Sequence, residues 1–140
     1  MIKNPAPPIV RSIIAVSIGL FFGAIVIFVV EALGHLVVPA PDGFDPKDPI
    51  SVAATMAQMS TSAFLMLLLA YLFGPTSGAW IAARLAPSRA FWHAAVVGLF
   101  FLVGGLANFS KIPHPTWFVV AATLAFIAAP FLGTRLAGRA

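Results

Sequence analysis

Residues 13–38 read IIAVSIGLFFGAIVIFVVEALGHLVV. Between Ile13 and Val30 the one polar side chain is Ser17, and Glu31, the chain's only acid inside an apolar run, follows directly. His35 comes one helical turn later, on the same face of a helix. A spanning helix needs about 20 apolar residues. This run supplies them, and it places the chain in a bilayer.

The rest of the composition agrees. Of 140 residues, 61% are apolar and only 9% charged, with a mean hydropathy of +1.03. A soluble domain carries about 25% charged residues, enough to cover its surface. This chain cannot cover a water-facing surface, so its solvent is lipid. Lys3 and Arg11 ahead of the first run imitate a secretory signal. A cleaved signal, however, has an apolar region of about 7–15 residues. This run is longer and is read as retained.

Three further uncharged windows follow: Pro49–Ala83, Ala90–Ser110 and Ile112–Thr134. The expected architecture is an all-α, four-helix transmembrane bundle forming a single domain over 1–140. Its spans fall at about 12–38, 63–86, 90–110 and 115–137. The second window is too long for one span, and its first third is semi-polar (Ser51, Thr55, Gln58, Ser60, Thr61, Ser62). Asp48–Pro49 is an N-cap followed by proline at the first helical position. One helix is therefore expected to start near Pro49, run partly in water and enter the membrane around Ala63. The loop and this semi-polar start occupy 39–62.

Four spans put both termini on one side. Lys3, Arg11, Arg84, Arg89, Arg135 and Arg139 then share that side, while Lys47 and Lys111 lie opposite with all four acids. That asymmetry in short loops makes the terminal side cytoplasmic. Trp80 and Trp92 fall at the inner interface and Trp117 at the outer one.

Small residues recur every fourth position at Ala70, Gly74, Gly78, Ala82 and Ala86, and again at Ala121, Ala125, Ala129, Gly133 and Ala137. A shift of 51 residues superposes the two ladders, and a shift of 79 superposes Gly19-Leu20-Phe21-Phe22 on Gly98-Leu99-Phe100-Phe101 and His35 on His114. This is the pattern of a duplicated helical hairpin with parallel repeats. Gly19 and Gly23 form a further small patch. Lipid supplies no hydrophobic drive between helices, so such stripes mark where another helix lies close. They serve either packing within the bundle or docking onto a second protein. Pro75 and Pro130 interrupt the helices that carry the ladders.

The chemistry-bearing residues are few. An embedded acid is a functional candidate. Glu31 and His35 on one face, with His114 in the other outer loop, have the donor types for a transition-metal site. A proton or ion pathway is a second functional reading, and the plain one is an interfacial carboxylate paired with Lys111, since about 20 residues from Ser12 put Glu31 at the outer margin of the core. Asp42, Asp45 and Asp48 alternate like part of a calcium loop but lack its closing Glu. Four prolines make that stretch a stiff link. His93 beside Trp92 reads as interfacial, and Gln58, Tyr71 and Asn108 as interhelical hydrogen-bonding groups. With no cysteine there is no thiolate chemistry. No phosphate loop, dinucleotide fingerprint or zinc-protease motif occurs, so no enzyme and no organic cofactor are expected. The net charge of +4 comes from scattered topology signals, and no nucleic-acid partner is expected.

Glu31-x-x-Gly34-His35, Pro39-x-Pro41-x-Gly43-x-Asp45 and Ile112-Pro113-His114-Pro115-x-Trp117 together resemble uncharacterised small four-helix bacterial inner-membrane proteins. The resemblance covers most of the chain. It implies a protein of the bacterial inner membrane and no particular activity, and with the charge asymmetry it makes the 39–62 segment periplasmic. The ladders and the scarcity of intramembrane polar groups favour a non-enzymatic accessory subunit or homo-oligomeric scaffold, with lipid and other membrane helices as partners. The alternative is a small transporter or proton- or metal-handling protein using Glu31, His35 and His114.

Overall fold

The computed structural model describes residues 6–39 and 42–139. Five helices follow in order: α1 Pro8–Val37, α2 Pro49–Gln58, α3 Thr61–Leu85, α4 Ala90–Lys111 and α5 Thr116–Leu136. Among the described residues there is no strand. The four longer helices are long and apolar enough to cross a membrane. At 1.5 Å per residue they reach roughly 31–45 Å, against a hydrocarbon core of about 30 Å. The chain is an all-α bundle with four membrane-span candidates.

Local chemistry sets the helix boundaries. Pro8 takes the first turn of α1, where a missing N–H costs nothing. Pro87 follows the end of α3, and Arg89 in the left-handed conformation (φ 46°) redirects the chain into α4. Asp48 caps α2, its carboxylate accepting from the Ile50 and Ser51 amides at 3.0 and 3.3 Å.

The single helix expected from Pro49 into the membrane is instead two. Met59 and Ser60 are extended (ψ 132° and 155°), and the Ser60 hydroxyl accepts from the Ala63 amide at 3.3 Å, starting α3 afresh. A serine that bonds local backbone competes with helix continuation. The break also lets Met56 and Met59 pack on the aromatic end of the bundle. Ser60→Ala is expected to cost about 1 kcal/mol, the usual worth of an N-cap, and to fray the first turn of α3. Faster amide exchange at Thr61–Phe64 measures it.

The spans run alternately up and down. Gly19 faces Gly78 and Ala82 while Gly23 faces Gly74, so α1 and α3 are antiparallel. Gly98 of α4 seats the Pro130 ring of α5, and Gly105 seats Phe126, again antiparallel. Tyr71 meets Phe126, and Ala79 and Trp80 meet Gly133, so α3 and α5 run parallel. A Cβ on Gly19 would stand 2.6 Å from the Gly78 carbonyl oxygen, and one on Gly133 2.6 Å from the Trp80 nitrogen. The glycine rungs of the ladders, together with buried Ala70, Ala82 and Ala129, therefore face into the bundle.

Two packing regimes fill the interior. At the arginine end, Ala79, Ala83, Ala86, Ala90, Ala94 and Ala137 bring backbones together. At the other, Phe64, Phe118, Ala122 and Phe126 form an aromatic core. The registers place Arg11, Arg84, Arg89, Arg135 and Arg139 at one end, where Arg139 Nη1 donates to the Arg84 carbonyl at 3.3 Å. Lys47, Lys111 and the acids lie toward the other end. Lys3, Ala40 and Pro41 fall outside the described residues. Phe21, Phe28 and Leu36 on α1 are 71, 72 and 79% exposed. Rings and leucines standing out this far need a lipid solvent.

Candidate intramembrane polar site

Beyond the Gly23–Gly74 crossing, α1 and α4 are the least closely packed of the touching helix pairs, and a cavity of about 390 Å³ opens beside them. Glu31 enters it from α1, two turns past Gly23. Tyr71 enters from α3, one turn before the Gly74–Pro75 step, and Asn108 from α4. The Tyr71 phenol and the Asn108 amide line the same space as the Glu31 carboxylate. Phe100, Phe101 and Phe126 complete a largely aromatic wall with Ile27.

Of two adjacent glycines, Gly104 leaves the space open. A Cβ on Gly104 would meet nothing within 4 Å, whereas Gly105 accepts the Phe126 ring against its backbone. Gly104 is exposed and Phe100 is 62% exposed, so the cavity opens sideways on the outer face of the bundle. Glu31 itself is half-buried. The polar α4 residue that shares its cavity is Asn108, not the Lys111 expected to pair with it.

The structure brings together part of the expected polar set. His35 lies one turn beyond Glu31, exposed and close enough to interact with it. His114 lies elsewhere. Its ring stacks on Phe118 (centroids 5.3 Å apart, planes 13° apart) and meets Phe109 and Phe64 edge-on. Its Nδ1 is 2.7 Å from the Ile112 carbonyl oxygen, so Nδ1 carries a proton and donates. Among the described residues no three His, Asp or Glu side chains gather to hold a metal ion. Glu31, His35 and His114 are therefore not assembled as a ligand set.

No family model, curated protein or solved structure matches this chain.

The remaining polar candidates have local roles. Asp45 accepts from the Lys47 amide at 2.9 Å, and its own amide donates to Ser51 Oγ at 3.0 Å, so the aspartate loop is tied to α2. His93 Nδ1 lies 3.2 Å from the Arg89 carbonyl oxygen at the start of α4. Gln58 is exposed at the end of α2.

Tyr71 and Asn108 are the partners that sequence reading did not join to Glu31. A signal was present. Gly104-Gly105 lies one turn before Asn108, toward the outer end of α4. Small residues beside an amide at that depth leave a void with a polar wall.

Proposed function

We propose that this multi-pass membrane protein takes up a proton or cation at Glu31, as a small transporter or ion-handling protein. One observation carries the reading. The only acid within a span lines a cavity together with Tyr71 and Asn108, and that cavity is open on the side of exposed Gly104 and Phe100. A charged side chain at the bilayer centre costs about 2.5–3.5 kcal/mol on insertion scales; Glu31, six residues from the end of α1, bears a smaller part of that cost, and plain bundle packing does not need a carboxylate there.

The accessory-subunit or homo-oligomer reading drew its support from the ladders and from the scarcity of intramembrane polar groups. Their glycine rungs lie against neighbouring helices of the same chain, which leaves that reading with less behind it. Five arginines at one end of the bundle favour cytoplasmic termini by the positive-inside rule, and the resemblance noted above favours a bacterial inner membrane. We assign no catalytic step to the chain.

The test is flux in proteoliposomes under an imposed pH gradient, followed with an entrapped pH dye. The wild-type protein is expected to dissipate the gradient, and Glu31→Gln to lose that activity at least tenfold while eluting unchanged from a sizing column. Equal rates for the two proteins, or no activity above empty liposomes, would remove the proposal.

A further inference from the structure

The geometry points to an organic monocation with a flat aromatic body as the occupant of the Glu31 cavity. This deepens the proposal above and rests on Glu31 facing the cavity as a working carboxylate. The sign comes first. Glu31 is the one acid in the lining and no basic side chain joins it. The nearer end of the bundle also carries Asp42, Asp45 and Asp48, which outnumber Lys47 and Lys111 there, while the arginines Arg11, Arg84, Arg89, Arg135 and Arg139 gather at the far end. Such a field concentrates cations at the Glu31 end.

The wall then chooses among cations. A hard metal cation asks for about six oxygen ligands or retained waters. The side chains here offer one carboxylate, one phenol and one amide, and the rest is carbon. A hydrated ion would give up its shell for too little. The rings of Tyr71, Phe100 and Phe101 suit a different guest, with the buried Phe126 ring behind them, packed on Tyr71 and Phe109. Their faces attract a positive charge, and more strongly where water is excluded. They also stack on a flat apolar body.

Size and access agree. A volume of about 390 Å³ falls in the range of roughly 300–1,000 Å³ that holds small organic ligands. The opening beside Gly104 lies on the outer face of the bundle, within reach of an amphiphilic cation collected in the membrane. The titratable groups facing the carboxylate are His35 from its own helix and Tyr71 from α3. The lining contributed by α4 and α5 has none. Binding should therefore compete with protonation of Glu31 itself.

The full-length protein in mild detergent is titrated with N-methyl-4-phenylpyridinium, using equilibrium dialysis. Its uncharged isostere 4-methylbiphenyl and sodium ion serve as controls. Saturable binding is expected for the pyridinium, at least tenfold tighter than for the biphenyl, and unaffected by sodium. Glu31→Gln should weaken it at least tenfold, and acidification should displace it. Gly104→Leu, which fills the mouth, should also weaken it at least tenfold while the Glu31 carboxyl infrared band still titrates. This variant decides the matter if Glu31→Gln does not fold. Equal binding by wild type and either variant, or equal binding of the biphenyl, overturns the inference. If the infrared band of Glu31 titrates and the pyridinium does not bind, the inference fails and the proton reading stands. If the band does not respond to external pH, both fail.

Discussion

Gly78→Leu is expected to open the bundle, at a cost of roughly 3 kcal/mol, the upper part of the range for overpacking. Gly78 sits where α1 and α3 approach most closely. A Cβ there would lie 2.6 Å from the Gly19 carbonyl oxygen and 3.3 Å from the Gly23 Cα and from Val97. The first two neighbours are backbone, so no rotamer change can make room. The helices must separate, and separation also loosens the Gly23–Gly74 contact one turn away. In lipid nothing offsets this, because helix association there depends on the close approach that glycine permits. Gly34→Ala is the matched control. Its Cβ would meet only Met66 Cβ, at an ordinary 3.6 Å, so a change within about 0.5 kcal/mol is expected, as for substitutions away from special contacts. Unfolding of both variants in bicelles by steric trapping measures the difference. Wild-type stability for Gly78→Leu would mean that α1 and α3 do not meet through this glycine.

That crossing also shows what kind of information the linear sequence holds. A stripe of Gly and Ala says that a helix comes close. It does not say whose helix, because the same stripe suits a neighbour in the same chain and one outside it. Charge has no such ambiguity. Sorting of arginines and acids to opposite ends follows from the number of spans and the loop positions, and both were readable. So were the capping of α2 by Asp48 and the proximity of Glu31 to His35, which depend on residues a few positions apart.

The misreadings have a common cause. Ser60 was readable as one polar residue in a wet helix, and its capping role emerges once Met59 has a hydrophobic surface to turn toward. That surface is made by Phe64, Phe118, Ala122 and Phe126 from α3 and α5. His114 looked free to join Glu31 because it sits in an outer loop with ligand chemistry. Its actual neighbours come from α3, α4 and α5, at separations no local pattern encodes. Tyr71 and Asn108 converge on Glu31 for the same reason, through three separate helices.

Phe118→Ala is expected to cost about 2–3 kcal/mol. Phe118 is fully buried, and its ring lies 5.3–5.9 Å from those of Phe64, Tyr71, Phe109, His114 and Trp117. In a water-soluble core such a truncation costs about 3–5 kcal/mol, the sum of a transfer contribution and a cavity contribution. Here the separated helices remain in lipid, so the transfer contribution largely vanishes. What remains is the void, the lost dispersion contacts and the ring pairs, which are worth about 0.5–1.5 kcal/mol beyond their buried area. Phe118→Leu keeps most of the volume and should cost less than half as much. A loss below about 0.5 kcal/mol for the alanine variant, smaller than a single such pair, would mean that the rings adjoin without packing. The site should feel the change as well. Phe118 stands against Tyr71, and Tyr71 forms one wall of the Glu31 cavity. Phe118→Ala should therefore lower flux severalfold at temperatures where the bundle is still folded, an effect that stability alone does not produce.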